Sequence, residues 1–123
     1  MQRIMLKSKI HRAVLTGADL NYVGSIAIDP ILLEAANILP NEQVQIKNCN
    51  SGTRITTYAI AGKRGSGEVM LNGPAARSGM AGDIVVIMAY AHVNESDLEN
   101  FSPKLVFVDE KNRIKKQKRT AVS

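Results

Sequence analysis

The chain has 123 residues, enough for one domain with its own core. A single cysteine, Cys49, excludes an intrachain disulfide framework, and no apolar run approaches the ~20 residues of a membrane span. Net charge is +5, yet six cations and no acid crowd into "KNRIKKQKR" (111–119), which leaves the rest near −1. That distribution reads as a nearly neutral body with a basic, solvated tail over about 111–123. A nucleic-acid arm is the competing reading of the tail, and the few aromatics argue against a base-stacking platform. The opening "MQRIMLKSKIHR" lacks the apolar centre of a secretion signal, so the cytoplasm is the expected compartment.

In chain order, Ile4, Leu6, Ile10 and Val14 share one parity and Lys7, Lys9 and His11 the other. Period two predicts a strand that projects Lys9 and His11 to the same side. "TGADLNY" reads as a loop and "SIAID" as a short strand covered on both faces. Asp29 is a good N-cap and Pro30 fits the first helical position, so "ILLEAANIL" predicts a helix that stops before Pro40. "EQVQIK" and "TRITTYAIA" alternate around "NCNSG" and predict a hairpin, with Cys49 a passive turn residue. "GKRGSG" is a turn, "EVMLN" a strand and "GPAARSGMAGD" a loop. "IVVIMAYAHV" is a long apolar strand, "NESDLENF" holds one or two helical turns, and "KLVFVDE" is a last strand before the tail. Six or seven short strands with one clear helix predict a small barrel or sandwich, built as one unit.

Few residues could carry chemistry. "YVGSIAID" contains Gly24-Ser25, which is either a turn before a strand or a hydroxyl set to attack its own backbone. The dipeptide alone does not decide, because Gly65-Ser66 is a second such pair. Lys9 and His11 are in isolation an ordinary exposed pair. Alternation puts Arg54, Thr56 and Tyr58 on one face and Thr57 on the other. Arg54 could grip a carboxylate with its fork, and Tyr58 could donate a proton. Asn72 either caps the turn of "LNGPAAR" or joins a loop that presents N–H donors to an oxyanion. Pro74 has no N–H to offer. No metal set is recognisable: His11 and His92 lie far apart, and there is no Cys pair. "GKRGSG" lacks the pattern of a phosphate loop. A hydrolase triad of Ser25, His11 and Asp19 lacks a nucleophile elbow.

"MLKSKIHRAVLTGADLNYVGSIAID", "TRITTYAI", "RGSG", "LNGPAAR" and "GDIVVI", in this order, resemble the pyruvoyl-dependent aspartate decarboxylases up to about Asp109. The resemblance implies a mainly β fold, a small double-psi β-barrel with one or two short helices. It also implies a homotetramer with sites between subunits. Such a chain is made as a proenzyme and cleaves itself between Gly24 and Ser25, giving a β chain (1–24) and an α chain (25–123). Ser25 becomes a covalently bound pyruvoyl cofactor, with no metal. Through a Schiff base that cofactor decarboxylates L-aspartate to β-alanine and CO2, for pantothenate and coenzyme A.

By the same resemblance Tyr58 is the proton donor. Thr57 contacts the pyruvoyl region and assists maturation, with Tyr22 and His11 near the cleavage point. Lys9 and Arg54 serve the anionic substrate, and Asn72 with Gly73, Pro74 and Ala75 completes the pocket. Joint action of Thr57 and Tyr58 conflicts with strict alternation, which a bulge or bend would reconcile. Pro74 departs from the small residue with a free N–H found in many relatives, which puts a donor role there in doubt. Gly65-Ser66 is expected to stay intact. The resemblance leaves room for a maturation factor and implies neither a nucleic-acid nor a membrane partner. The competing class is a non-enzymatic β-barrel that binds nucleic acid through its tail.

Overall fold

The computed structural model describes residues 1–21 and 24–118. Tyr22 therefore lies outside the described residues. The strands are β1 (Gln2–Val14), β2 (Gly17–Asp19), β3 (Ser25–Ile28), β4 (Gln43–Asn48), β5 (Arg54–Ala61), β6 (Val69–Asn72), β7 (Ile84–Asn94), β8 (Lys104–Val108) and β9 (Ile114–Lys118). They join one sheet in the order β2-β6-β3-β5-β4-β7-β1-β8-β9. The fold is mainly β and barrel-like, as expected. One helix, α1 (Pro30–Ala36), and two 3₁₀ segments, Gly73–Ser78 and Glu95–Asn100, complete it.

The core takes Ile10, Ile26, Ile28, Leu32, Leu71, Ile87 and Val106, all but inaccessible to water. All four residues of β3 are buried, which matches the nearly continuous apolar run of its sequence. Strand β3 lies between β5, to which it is parallel, and β6, to which it is antiparallel. It is therefore fixed from both edges.

Several local expectations are corrected. Among the described residues there are nine strands, not six or seven, because two short or basic segments gain partners. Residues 17–19 of the presumed loop pair with β6, and residues 114–118 of the presumed mobile tail pair with β8. Lys116 lies 5.1 Å over the Phe107 ring, so a charge read as solvated is held on an aromatic face. Helix α1 ends at Ala36 rather than running to Leu39. Asn37 turns left-handed (φ 54°) and caps the Leu33 and Glu34 carbonyls. The loop after β6 contains the 3₁₀ segment Gly73–Ser78.

Strand β1 does not alternate strictly. Its register with β7 shifts between Leu6 and Ser8 and again between Ile10 and Ala13, where Arg12 has φ 62°. Ile4 is consequently 68% exposed, while Ser8, Ile10 and Ala13 are buried. The segment Ser8–His11 pairs regularly with β8, so Lys9 and His11 do share a face.

Candidate active site

Strand pairing brings the central residues together. Ile26 lies opposite Ala59 in the parallel β3–β5 ladder. The residues that precede this pair are Ser25 on β3 and Tyr58 on β5. On the other edge Ser25 pairs with Asn72 of β6. Ser25 and Asn72 are 1% and 0% exposed, and Asn72 Nδ2 donates to Ser25 Oγ at 3.3 Å. Asn72 precedes the 3₁₀ segment but does not cap it; its side chain turns to the serine instead. Its Oδ1 is buried and has no hydrogen-bond partner among the described residues, an acceptor left open in the interior.

Gly24, Thr57, Tyr58, Pro74, Ala75 and Ser78 border a cavity of about 340 Å³, of which the buried Ser25 and Asn72 are not lining residues. A Cβ on Gly24 would stand 3.2 Å from Pro74 Cδ, so the wall is tight at this residue. Gly73 has φ +59°, a conformation that turns β6 into the 3₁₀ segment at little cost for glycine alone. The far end of that segment is tied down. Asn48 Nδ2 donates to the Ser78 carbonyl and to Asp83 Oδ2, each at 3.0 Å, and Thr53 Oγ1 donates to Ser78 O at 3.3 Å. Ser78 and Asn48 were not singled out from sequence. The only signal was the continuation of "LNGPAAR" by Ser78.

No bulge was needed to bring Thr57 and Tyr58 to one cavity, and that expectation is corrected. The β4–β5 ladder runs from Gln43–Tyr58 to Lys47–Arg54 without a register shift. The cavity lies across the strand where β3 begins, so it meets neighbours on both faces of β5.

Within one chain the remaining predicted residues lie elsewhere. Lys9 and His11 are on β1, separated from β3 in the sheet by β5, β4 and β7. His11 borders another cavity with Arg12, Phe107, Lys115 and Lys116. Its ring meets Phe107 edge to face at 5.3 Å, and its Nδ1 is buried without a partner among the described residues. Burial, followed by the Lys9 and Arg12 charges, lowers its pKa from 6.5. Arg54 stands exposed at the start of β5 and is absent from the lining of the Gly24 cavity.

The second Gly-Ser pair has different surroundings. Ser66 Oγ donates to the Lys63 carbonyl at 2.5 Å and accepts from Glu68 N, while the Gly65 carbonyl accepts from Arg113 Nη1 at 3.1 Å. Both groups are thus engaged with other partners. Cys49 is exposed in the β4–β5 turn, as expected. Among the described residues there is no cluster of three metal-ligating side chains, and no helix is long and apolar enough to cross a membrane.

The profile of a family described as Aspartate decarboxylase matches residues 1–115. Curated relatives called Aspartate 1-decarboxylase are similar over most of their lengths. The protein from Thermoanaerobacter pseudethanolicus is 56% identical over 113 residues, 92% of this chain and 97% of its own. The one from Paraburkholderia phymatum is 60% identical over 116 residues, 94% and 91% of the two chains. That from Albidiferax ferrireducens is 53% identical over 118 residues, 96% and 87%.

Proposed function

This chain belongs to the aspartate decarboxylase family, and on that premise we propose that it is a self-cleaving proenzyme that converts L-aspartate to β-alanine and carbon dioxide. The observation that carries the reading is the buried Asn72–Ser25 hydrogen bond beside glycine at the cavity wall.

Maturation uses the chain's own atoms. Ser25 Oγ attacks the Gly24 carbonyl carbon, the C–N bond breaks, and the nitrogen takes up the hydroxyl proton, which leaves an ester. Removal of the Ser25 Cα proton expels the Gly24 carboxylate and leaves dehydroalanine. Its imine tautomer adds water and releases ammonia, which yields a pyruvoyl group at residue 25. Asn72 Nδ2 holds the hydroxyl in place for the first step, and the missing side chain at Gly24 leaves the carbonyl open to attack. The site suits the product group: residue 25 is excluded from bulk water and directly follows Gly24 of the cavity wall.

That group supplies a ketone for the substrate amine and an electron sink for the departing carboxylate. The other roles belong to side chains. Tyr58, on the wall of the cavity that Gly24 also borders, holds the proton for the substrate α-carbon. Thr57 and Asn72 orient the reacting end, and the Ala75 backbone closes the pocket. Arg54 and Lys9 meet the side-chain carboxylate, with His11 near the cleavage environment. Because these three lie away from the cavity in one chain, they act across subunit boundaries, in line with a homotetramer. The β-alanine serves pantothenate and coenzyme A synthesis.

Intact-mass analysis on a denatured sample tests the reading. Two pieces, 1–24 and 25–123, are expected from the wild type and one chain from Ser25→Ala. A wild type that stays whole, or a Ser25→Ala chain that splits, overturns it.

A further inference from the structure

Pro74 holds a position where a backbone N–H would matter. It is the second residue of the 3₁₀ segment Gly73–Ser78, within its first turn. N–H groups there make no bond inside the helix, and any other residue would leave its N–H pointing outward as a free donor. In proline the Cδ methylene takes that direction. Here Cδ lies 3.2 Å from where a Cβ of Gly24 would stand, and both residues line the same cavity. An N–H at position 74 would therefore stand beside Gly24, the residue whose carbonyl is attacked. In this chain a CH2 stands there instead.

We propose that Pro74 acts as a built-in brake on maturation: it withholds a backbone donor from Gly24 and so slows the attack of Ser25. The inference rests on the self-cleavage proposed above. Attack on the Gly24 carbonyl places negative charge on its oxygen before the C–N bond breaks. A donor aimed at such an oxygen is worth about 10²–10³ in rate where it is well placed. Pro74 is a positioning residue, since it shapes the surroundings of the scissile bond without exchanging a proton or forming a bond.

Two substitutions separate the missing donor from the ring's bulk. Pro74→Ala restores the N–H and removes the ring, whereas lactic acid, placed at position 74 by a suppressor tRNA, removes the ring but puts an ester oxygen where the N–H would be and so restores no donor. The chains are made by cell-free translation with a short pulse of labelled amino acid. The fraction split between residues 24 and 25 is followed by denaturing gel and mass spectrometry. Hydroxylamine is added to a parallel sample to cut the ester, so that its formation is timed separately from the elimination that follows. Pro74→Ala is expected to form ester at least about tenfold faster than wild type, below the full worth of an ideal donor, and the lactic acid chain to keep close to the wild-type rate. Equal or slower ester formation in Pro74→Ala overturns the brake, as does equal acceleration of the lactic acid chain, which would assign the effect to bulk. If wild type forms no ester and stays whole, as Ser25→Ala should, the self-cleavage reading fails and the brake with it. Normal wild-type cleavage with unchanged variants refutes the brake only.

Discussion

Replacing Asp29 should cost more than any ordinary helix cap. Asp29 follows β3 and is buried, and its carboxylate accepts three backbone N–H groups. These are Ile31 at 2.9 Å, Gly65 at 3.0 Å and Gly67 at 2.9 Å. Burial alone would raise its pKa; the three N–H donors, joined by the Arg64 charge, outweigh it and hold the carboxyl below its usual 3.8. In Asp29→Ala the lost cap costs about 1 kcal/mol. Two further N–H groups lose their acceptor at about 1–3 kcal/mol each, part of which relaxation and water recover. A total of about 3–5 kcal/mol corresponds to roughly 10–20 °C in Tm for a domain of this size.

The assay is urea and thermal unfolding in a Ser25→Ala background, which keeps every chain whole, at fixed protein concentration. Asp29→Asn keeps one acceptor oxygen but turns an NH2 toward an N–H donor, so it should fall between wild type and alanine. Lowered in the fold, the Asp29 pKa gives a contribution that is full above 3.8 and lost as pH falls through the folded value. The gap between wild type and Asp29→Asn should therefore narrow in acid. A loss under about 1 kcal/mol for Asp29→Ala, at the level of a simple cap, would refute the reasoning.

Further outcomes follow from other groups. If Arg54 anchors the side-chain carboxylate as proposed, fully cleaved Arg54→Lys keeps the charge but not the fork, and kcat/KM for β-alanine production should fall roughly 10- to 150-fold, the worth of one charge-assisted hydrogen bond. An unchanged value would exclude Arg54 as the carboxylate anchor. His11 has its pKa lowered by burial, Lys9 and Arg12, so the unfolded chain takes up its proton first as pH drops below 6.5. Wild-type stability should thus decline below that pH more steeply than that of His11→Gln, and parallel curves would rule this out. A chain stopped after Ile114 loses the β9 residues paired with Leu105, Val106 and Phe107. A few ladder bonds at about 1 kcal/mol each predict a loss of about 2 kcal/mol in urea unfolding, and an unmoved midpoint would mean β9 adds nothing.

Much of the local structure was legible in the chain itself. Asp29-Pro30 marks the start of α1 because a short acceptor and a fixed φ suit a helix entry regardless of the rest of the fold. The β4–β5 hairpin follows from two alternating runs around a turn, and burial of β3 from its nearly continuous apolar run. Motif order also pointed to Ser25 and to Thr57 and Tyr58. Partners distant in sequence were not legible. Residues 114–118 carry cations, and only the open edge of β8 makes them a strand. Helix α1 stops early because Asn37 can turn left-handed and Ile38 gains more by entering the core. The register shifts in β1 arise from pairing with β7 and β8 at once, which no period-two pattern encodes. At the site, sequence nominated the residues, but tertiary pairing joined Asn72 to Ser25 across 47 positions and set Pro74 against Gly24. A hydrogen bond or a steric wall depends on distance in space, and that distance exists only once β3, β5 and β6 lie side by side.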